Sequence, residues 1–401
     1  MRASTSLDPT TVGYRQGRHR SIRTPPRMLR KDWNGSASCT IVANPTSPRR
    51  RRPTVVRART RYRGGSGMSK AAGNRKLYDD TIVIDGLNVS NWDSPNVYDS
   101  LHNGGVTAIN ATVAVWDGFR ETLDNITDWV HRFEERGDRL LQVGAVADIH
   151  KAKAEGKTGV ILGWQNAAPI ENRLDRLALF HALGVRVIQL TYNERNLLGN
   201  GCYERTDDGL SNFGQDAVRE MNRLGILIDL SHVGDRTTLE AIDLSEKPVA
   251  ITHANARSFF EHVRNKTDGA LKLLVEKNGV IGANAFPPFL RTGFESTLSD
   301  YVDAIDDLVE RAGIDHVAIG TDYTQDQPAS FFNWLFAQQG TKYQERPVAY
   351  PDPLLHPAGM ETPDRFFNIA TVLIERGYRD EDVVKVLGGN WLRLFGEVWG
   401  E

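Results

Sequence analysis

Cysteine is scarce. Cys39 and Cys202 are the only two in 401 residues and lie in different segments, which argues against a disulfide framework and a cysteine-based zinc finger. Long apolar runs are missing too. None approaches the roughly 20 residues a membrane-crossing helix needs, so no membrane is expected among its partners. Acid is nearly missing from the first 67 residues, which hold Asp8 and Asp32 against 15 Arg and one Lys, a net charge of +14; the remainder carries −16.

That asymmetry divides the chain. Residues 1–75, rich in Ser, Thr and Pro without sustained periodicity, are predicted to be a disordered basic segment. Three readings of it stay open. It has the composition of a transit peptide. The run Arg49–Arg52 suits nucleic acid, although such runs are more often solvated tail. Or translation begins at Met68, just before the first structured residues. For residues 76–401 no nucleic acid is expected. With 40% hydrophobic and 25% charged residues, the profile is that of a soluble globular protein, and its expected location is cytoplasmic.

What is present from Leu77 onward is an alternation. Eight short apolar runs, Ile82–Ile84, Val106–Thr112, Gly159–Trp164, Val185–Thr191, Ile226–Leu230, Val249–Thr252, Val280–Asn284 and Val317–Thr321, are separated by amphipathic stretches. Strands alternating with helices imply parallel pairing with right-handed crossovers. Eight such units predict an α/β fold of the (β/α)8 TIM-barrel type, preferred over a doubly wound sheet because polar residues follow many different strands. Residues 331–358, rich in Pro and aromatics, are predicted to be a long loop over that face.

The strand ends carry the chemistry. His232 follows Ile226–Leu230, and His253 follows Val249–Thr252. A lone His after a strand is usually structural. Two on consecutive strands lie close enough to share a divalent ion, zinc being the usual one. Asp322, after the last strand, is a candidate ligand and a candidate general base on water; its bland reading is a turn residue. Gln165, after the third run, is an amide where a carboxylate would bind metal better. Arg264 has the planar fork that suits a substrate carboxylate, though an isolated Arg is more often in a surface ion pair. Tyr192 and Asn193 face the same mouth, where a Tyr can donate one hydrogen bond or stack. The loop Gly199–Glu204 brings Cys202 and Glu204 near as substitute ligands; an inert buried Cys is the alternative.

Taken together, Asp229-Leu-Ser-His232, Thr252-His-Ala-Asn-Ala-Arg257, Arg264-Asn265, Gly320-Thr-Asp322, Gly209–Gly214 and Gly389-Asn-Trp-Leu-Arg393 resemble the membrane (renal-type) dipeptidase family over roughly residues 78–399. The resemblance implies a zinc-dependent barrel that cleaves dipeptides at a two-metal site. It implies that His232 and His253 hold one metal, that Asp322 contacts the other or assists the water, and that Arg264 binds the substrate carboxylate. It also shows departures. The family's first-strand His-x-Asp pair is Leu87 and Val89 here, its bridging Glu is Gln165, and a substrate-facing His is Tyr192.

Two functions follow. One is a metallo-dipeptidase-like hydrolase of a dipeptide or small amide with a free carboxylate. It would run on one zinc with His232, His253, Gln165 and Asp322 as ligand candidates, Asp322 and Tyr192 as catalytic groups, and Arg264 and Asn193 on the substrate. The other is a non-hydrolytic relative, a small-molecule binder or an enzyme of N-methylated amino acid catabolism. A homodimer is compatible with either.

Overall fold

Apolar runs with a Cβ on alternating faces pair side by side when helices cover their outer surface. The computed structural model describes residues 67–336 and 356–400. Its strands are β1 (Ile84–Asn88), β2 (Ala108–Ala114), β3 (Leu140–Gln142), β4 (Thr158–Trp164), β5 (Val185–Gln189), β6 (Leu227–Asp229), β7 (Ala250–Ile251), β8 (Val280–Ala283) and β9 (Val317–Ile319). All pair in parallel, in the order β1-β2-β4-β5-β6-β7-β8-β9. The result is a nearly closed eight-stranded barrel, as the alternation predicts. β3 was not anticipated; it pairs with the start of β4 at Thr158–Val160, while β5 pairs further along, at Leu162–Trp164.

The seam between β1 and β9 is made by side chains and strand ends. Asp85 accepts the Thr321 backbone N–H at 2.8 Å and its hydroxyl at 2.7 Å. Asp322 N–H donates to Leu87 O and Val89 N–H to Tyr323 O. Inside, one residue from each barrel strand (Ile84, Ala108, Ile161, Val187, Leu227, Ala250, Val280, Ala318) joins Trp391 in a buried cluster. Trp391 comes from the helix Asn390–Trp399 and donates its indole N–H to Ile319 O at 2.9 Å. Two glycines permit the close approach of β8 and β9 to β7. A Cβ on Gly282 would lie 2.1 Å from Thr252 O, and one on Gly320 1.8 Å from it.

Two expectations need correction. Residues 67–75 were expected to be disordered, but the helix Gly67–Asp80 begins there. Its Ala, Lys and Arg residues favour helix, and Arg75–Asp79 and Lys76–Asp80 pair at i,i+4. Residues 331–336 were expected in a loop but lie in the helix Ala329–Phe336, where Phe332 and Leu335 are buried. The remainder of both segments, 1–66 and 337–355, lies outside the described residues. Among the described residues no helix is long and apolar enough to cross a membrane.

Candidate metal centre

The site is assembled from β6 and β7 outward. Asp229, the last residue of β6, is fully buried and accepts four hydrogen bonds. They come from Ser231 N (3.0 Å), Ser231 Oγ (2.6 Å), Thr252 N (2.9 Å) and Thr252 Oγ1 (2.7 Å). Burial raises its pKa, and these donors together with Arg264 work the other way. Thr252 Oγ1 also lies 2.7 Å from His253 Nδ1. The single hydroxyl proton of Thr252 is spent on Asp229, so the imidazole must donate, and His253 carries its proton on Nδ1. His232 Nδ1 lies 2.7 Å from the Asn193 amide oxygen, which also takes the Cys202 thiol at 3.9 Å. An amide oxygen only accepts, so His232 is protonated on Nδ1 as well.

Both rings therefore turn a lone pair inward, and their Nε2 atoms are 3.0 Å apart. Burial, then the positive charge of Arg264, holds both imidazoles well below the usual histidine pKa, so neither takes a second proton near neutrality. Two converging lone pairs are stabilised by a cation between them. Two imidazoles bound to one tetrahedral zinc at about 2.0–2.1 Å have their nitrogens about 3.3 Å apart, close to what is found.

The other expected residues are placed as follows. Tyr192 stacks on His232, ring centroids 4.0 Å apart, and meets Trp116 edge-on at 5.1 Å. Asn193 sits at φ +57° beneath His232. Asp322, at φ +60°, is reached through Asn284, whose amide donates to His253 O (3.2 Å) and to Asp322 Oδ2 (3.3 Å). Burial pushes the Asp322 carboxyl up to about 6, against the pull of Arg264 and Asn284. Gln165 is buried and donates to Thr112 Oγ1 at 3.0 Å. Leu87 and Val89 are buried and present no side-chain donor atom.

Arg264 is fully buried and serves the scaffold: its outer nitrogens donate to Ser231 O (2.7 Å) and His253 O (2.8 Å), tying the ends of β6 and β7 together. Its Nε is buried without a partner. Glu204 turns to the Arg195 and Arg205 backbone N–H groups, and burial raises the Cys202 thiol. Among the described residues no three His, Cys, Asp or Glu side chains form a metal-binding group. The donors that converge are the two imidazole nitrogens, while Leu87 and Val89 offer none. Asp229 and Thr252 stand in the motifs that carry the resemblance and Asn284 at the end of an apolar run, but none of them was assigned a role in the site from sequence. Asn284 was within reach, since it follows strand β8 as His253 follows β7.

The profile described as membrane dipeptidase (peptidase family M19) matches residues 75–337. An amidohydrolase from Pseudomonas aeruginosa of known structure is 41% identical, with a TM-score of 0.79, over 82% of this chain and 99% of that one. A metallopeptidase from Rhodobacter sphaeroides, solved with a phosphinate mimic of the dipeptide L-Ala-D-Ala, shares the fold at 22% identity and a TM-score of 0.67, over 80% of this chain and all (100%) of that one. Dipeptidase tcpJ of Claviceps purpurea is 28% identical over 282 residues, 70% of this chain and 60% of its own length. An uncharacterized dipeptidase of Schizosaccharomyces pombe is 33% identical over 58% of this chain and 55% of its own length. The chain thus spans less than two thirds of these curated relatives.

Proposed function

This chain belongs to the membrane dipeptidase family, and we propose that it is a hydrolase of a dipeptide or another small amide with a free carboxylate, with a reduced metal site. The observation that carries this reading is the pair of Nε2 lone pairs converging at 3.0 Å in the barrel mouth. His232 and His253 would hold one zinc, which when bound supplies a Lewis acid and lowers the pKa of water. The chain's own groups do the rest. Asn193 and the Asp229–Thr252 pair fix the two tautomers, and Tyr192 holds the His232 ring plane. Asp322, with its carboxyl near 6, takes a proton from attacking water at neutral pH. Arg264, fully buried with its outer nitrogens on Ser231 O and His253 O, holds the ends of β6 and β7 in register beneath the two imidazoles. The two widely separated cysteines agree with a cytoplasmic setting.

A second reading, a non-hydrolytic binder, is favoured by the apolar Leu87 and Val89. One ion in place of two removes a Lewis acid, so ordinary dipeptide cleavage should fall on the order of a thousandfold below a two-metal enzyme. The test combines metal analysis with turnover of Gly-Leu and a panel of carboxylate-bearing amides, on one sample. About one zinc per chain, slow Gly-Leu cleavage and loss of both zinc and turnover in His253→Ala support the proposal. Metal-free protein that cleaves nothing in the panel overturns it.

A further inference from the structure

Beside the ends of β1 and β2 lies a cavity of about 280 Å³. Trp92, Trp129 and Trp334 line it together with Asp117 and Asp128. Trp92 and Trp129 are neighbours, ring centroids 5.1 Å apart. The wall already receives one cation: the Arg132 guanidinium lies 5.5 Å from the Trp129 ring, and Asp93 neutralises it at 2.7 Å. The two remaining carboxylates have no cationic partner among the described residues. Asp117 takes only the Val115 N–H (3.0 Å) and the Asn125 amide (3.2 Å), and Asp128 also lines the opening. Val115 and Trp334, both in the lining, pack in one apolar cluster with Tyr192, the ring stacked on His232, which places the cavity on the side of the candidate centre.

Indole faces attract cations, and uncompensated carboxylates add charge. The lining mixes polar groups, among them Asn91, Thr112 and Asn125, with indoles and valines; the apolar part suits the alkyl portion of an organic cation, which a bare inorganic ion lacks. We propose that this cavity binds an organic ammonium group carried by the substrate, on the tryptophan faces, with Asp117 and Asp128 supplying the opposite charge. Only the identity of the occupant as a substrate rests on the hydrolase reading; the binding itself does not.

The test is calorimetric titration of the full chain with n-butylammonium, with butan-1-ol as the uncharged isostere. The ammonium should bind, and the alcohol at least roughly tenfold more weakly. Trp334→Leu, at a half-buried helix position, and Asp128→Asn should each weaken ammonium binding roughly three- to tenfold while leaving the thermal transition in place. Equal binding of the alcohol, no binding of either, or unchanged affinity in both variants overturns the proposal. Amide turnover without ammonium binding defeats this site alone. Ammonium binding without any turnover defeats the hydrolase reading alone.

Discussion

Arg264 shows how one side chain separates two readings. A carboxylate clamp at the edge of a site can be removed with little effect on folding. The Arg264 found here donates to two buried carbonyls, Ser231 O and His253 O, and each left unpaired costs about 1–3 kcal/mol. Arg264→Ala should therefore lower unfolding stability by about 2–5 kcal/mol in urea titrations, beyond any effect on substrate affinity. Unchanged stability with weakened substrate binding would return Arg264 to the role its sequence context suggested. The two histidines were legible as a pair because each ends a buried run. Their tautomers were not, because Asn193 lies 39 residues from His232, and only the fold brings that amide oxygen to Nδ1. Arg264 reads as a ligand for substrate from sequence because nothing local shows which carbonyls it meets.

At the level of elements, the seam between β1 and β9 depends on an acid. Asp85 is fully buried, and burial raises its carboxyl to about 7 although Thr321 and Asn88 donate to it. The sign follows from the raised value: the folded state holds a proton that the unfolded chain releases near pH 4. The stabilisation is present in full below that and is lost as pH rises through about 7. Relative to Asp85→Asn, the unmodified protein should lose a few kcal/mol between pH 4 and 7, measured as the difference between two denaturation series. A flat difference would show that the hydrogen bonds to Thr321 keep the carboxylate charged throughout. The eight barrel strands were readable from their apolar runs. β3 was not, because in its three residues only Leu140 is fully buried, too short for a periodic signal. The helix at 67–80 escaped notice because its opening residues follow the basic segment without a marked change in composition.

For the whole molecule, the barrel delivers strand ends to one mouth, and the family's chemistry depends on which of those ends carry donors. Leu87→His, Val89→Asp and Gln165→Glu together should raise bound zinc from about one to about two per chain and increase Gly-Leu turnover. Metal analysis and a dipeptide assay on the triple variant check this; zinc that stays at one would mean these positions do not converge on an ion. Family and fold were legible because their motifs are local, whereas the ligand count depends on what stands opposite each motif. The seam has a consequence in time. Asp85 and Thr321 are separated by 236 positions. At about 5–20 residues per second of synthesis, the partner of β1 emerges on the order of 10–50 s after it. Any sheet begun in that interval has two unpaired edges, the outer side of β1 and the side of its newest strand. Such edges are templates for pairing with other chains, so slowing synthesis ahead of residue 317 is expected to lower the yield of folded protein even though the finished barrel is unchanged.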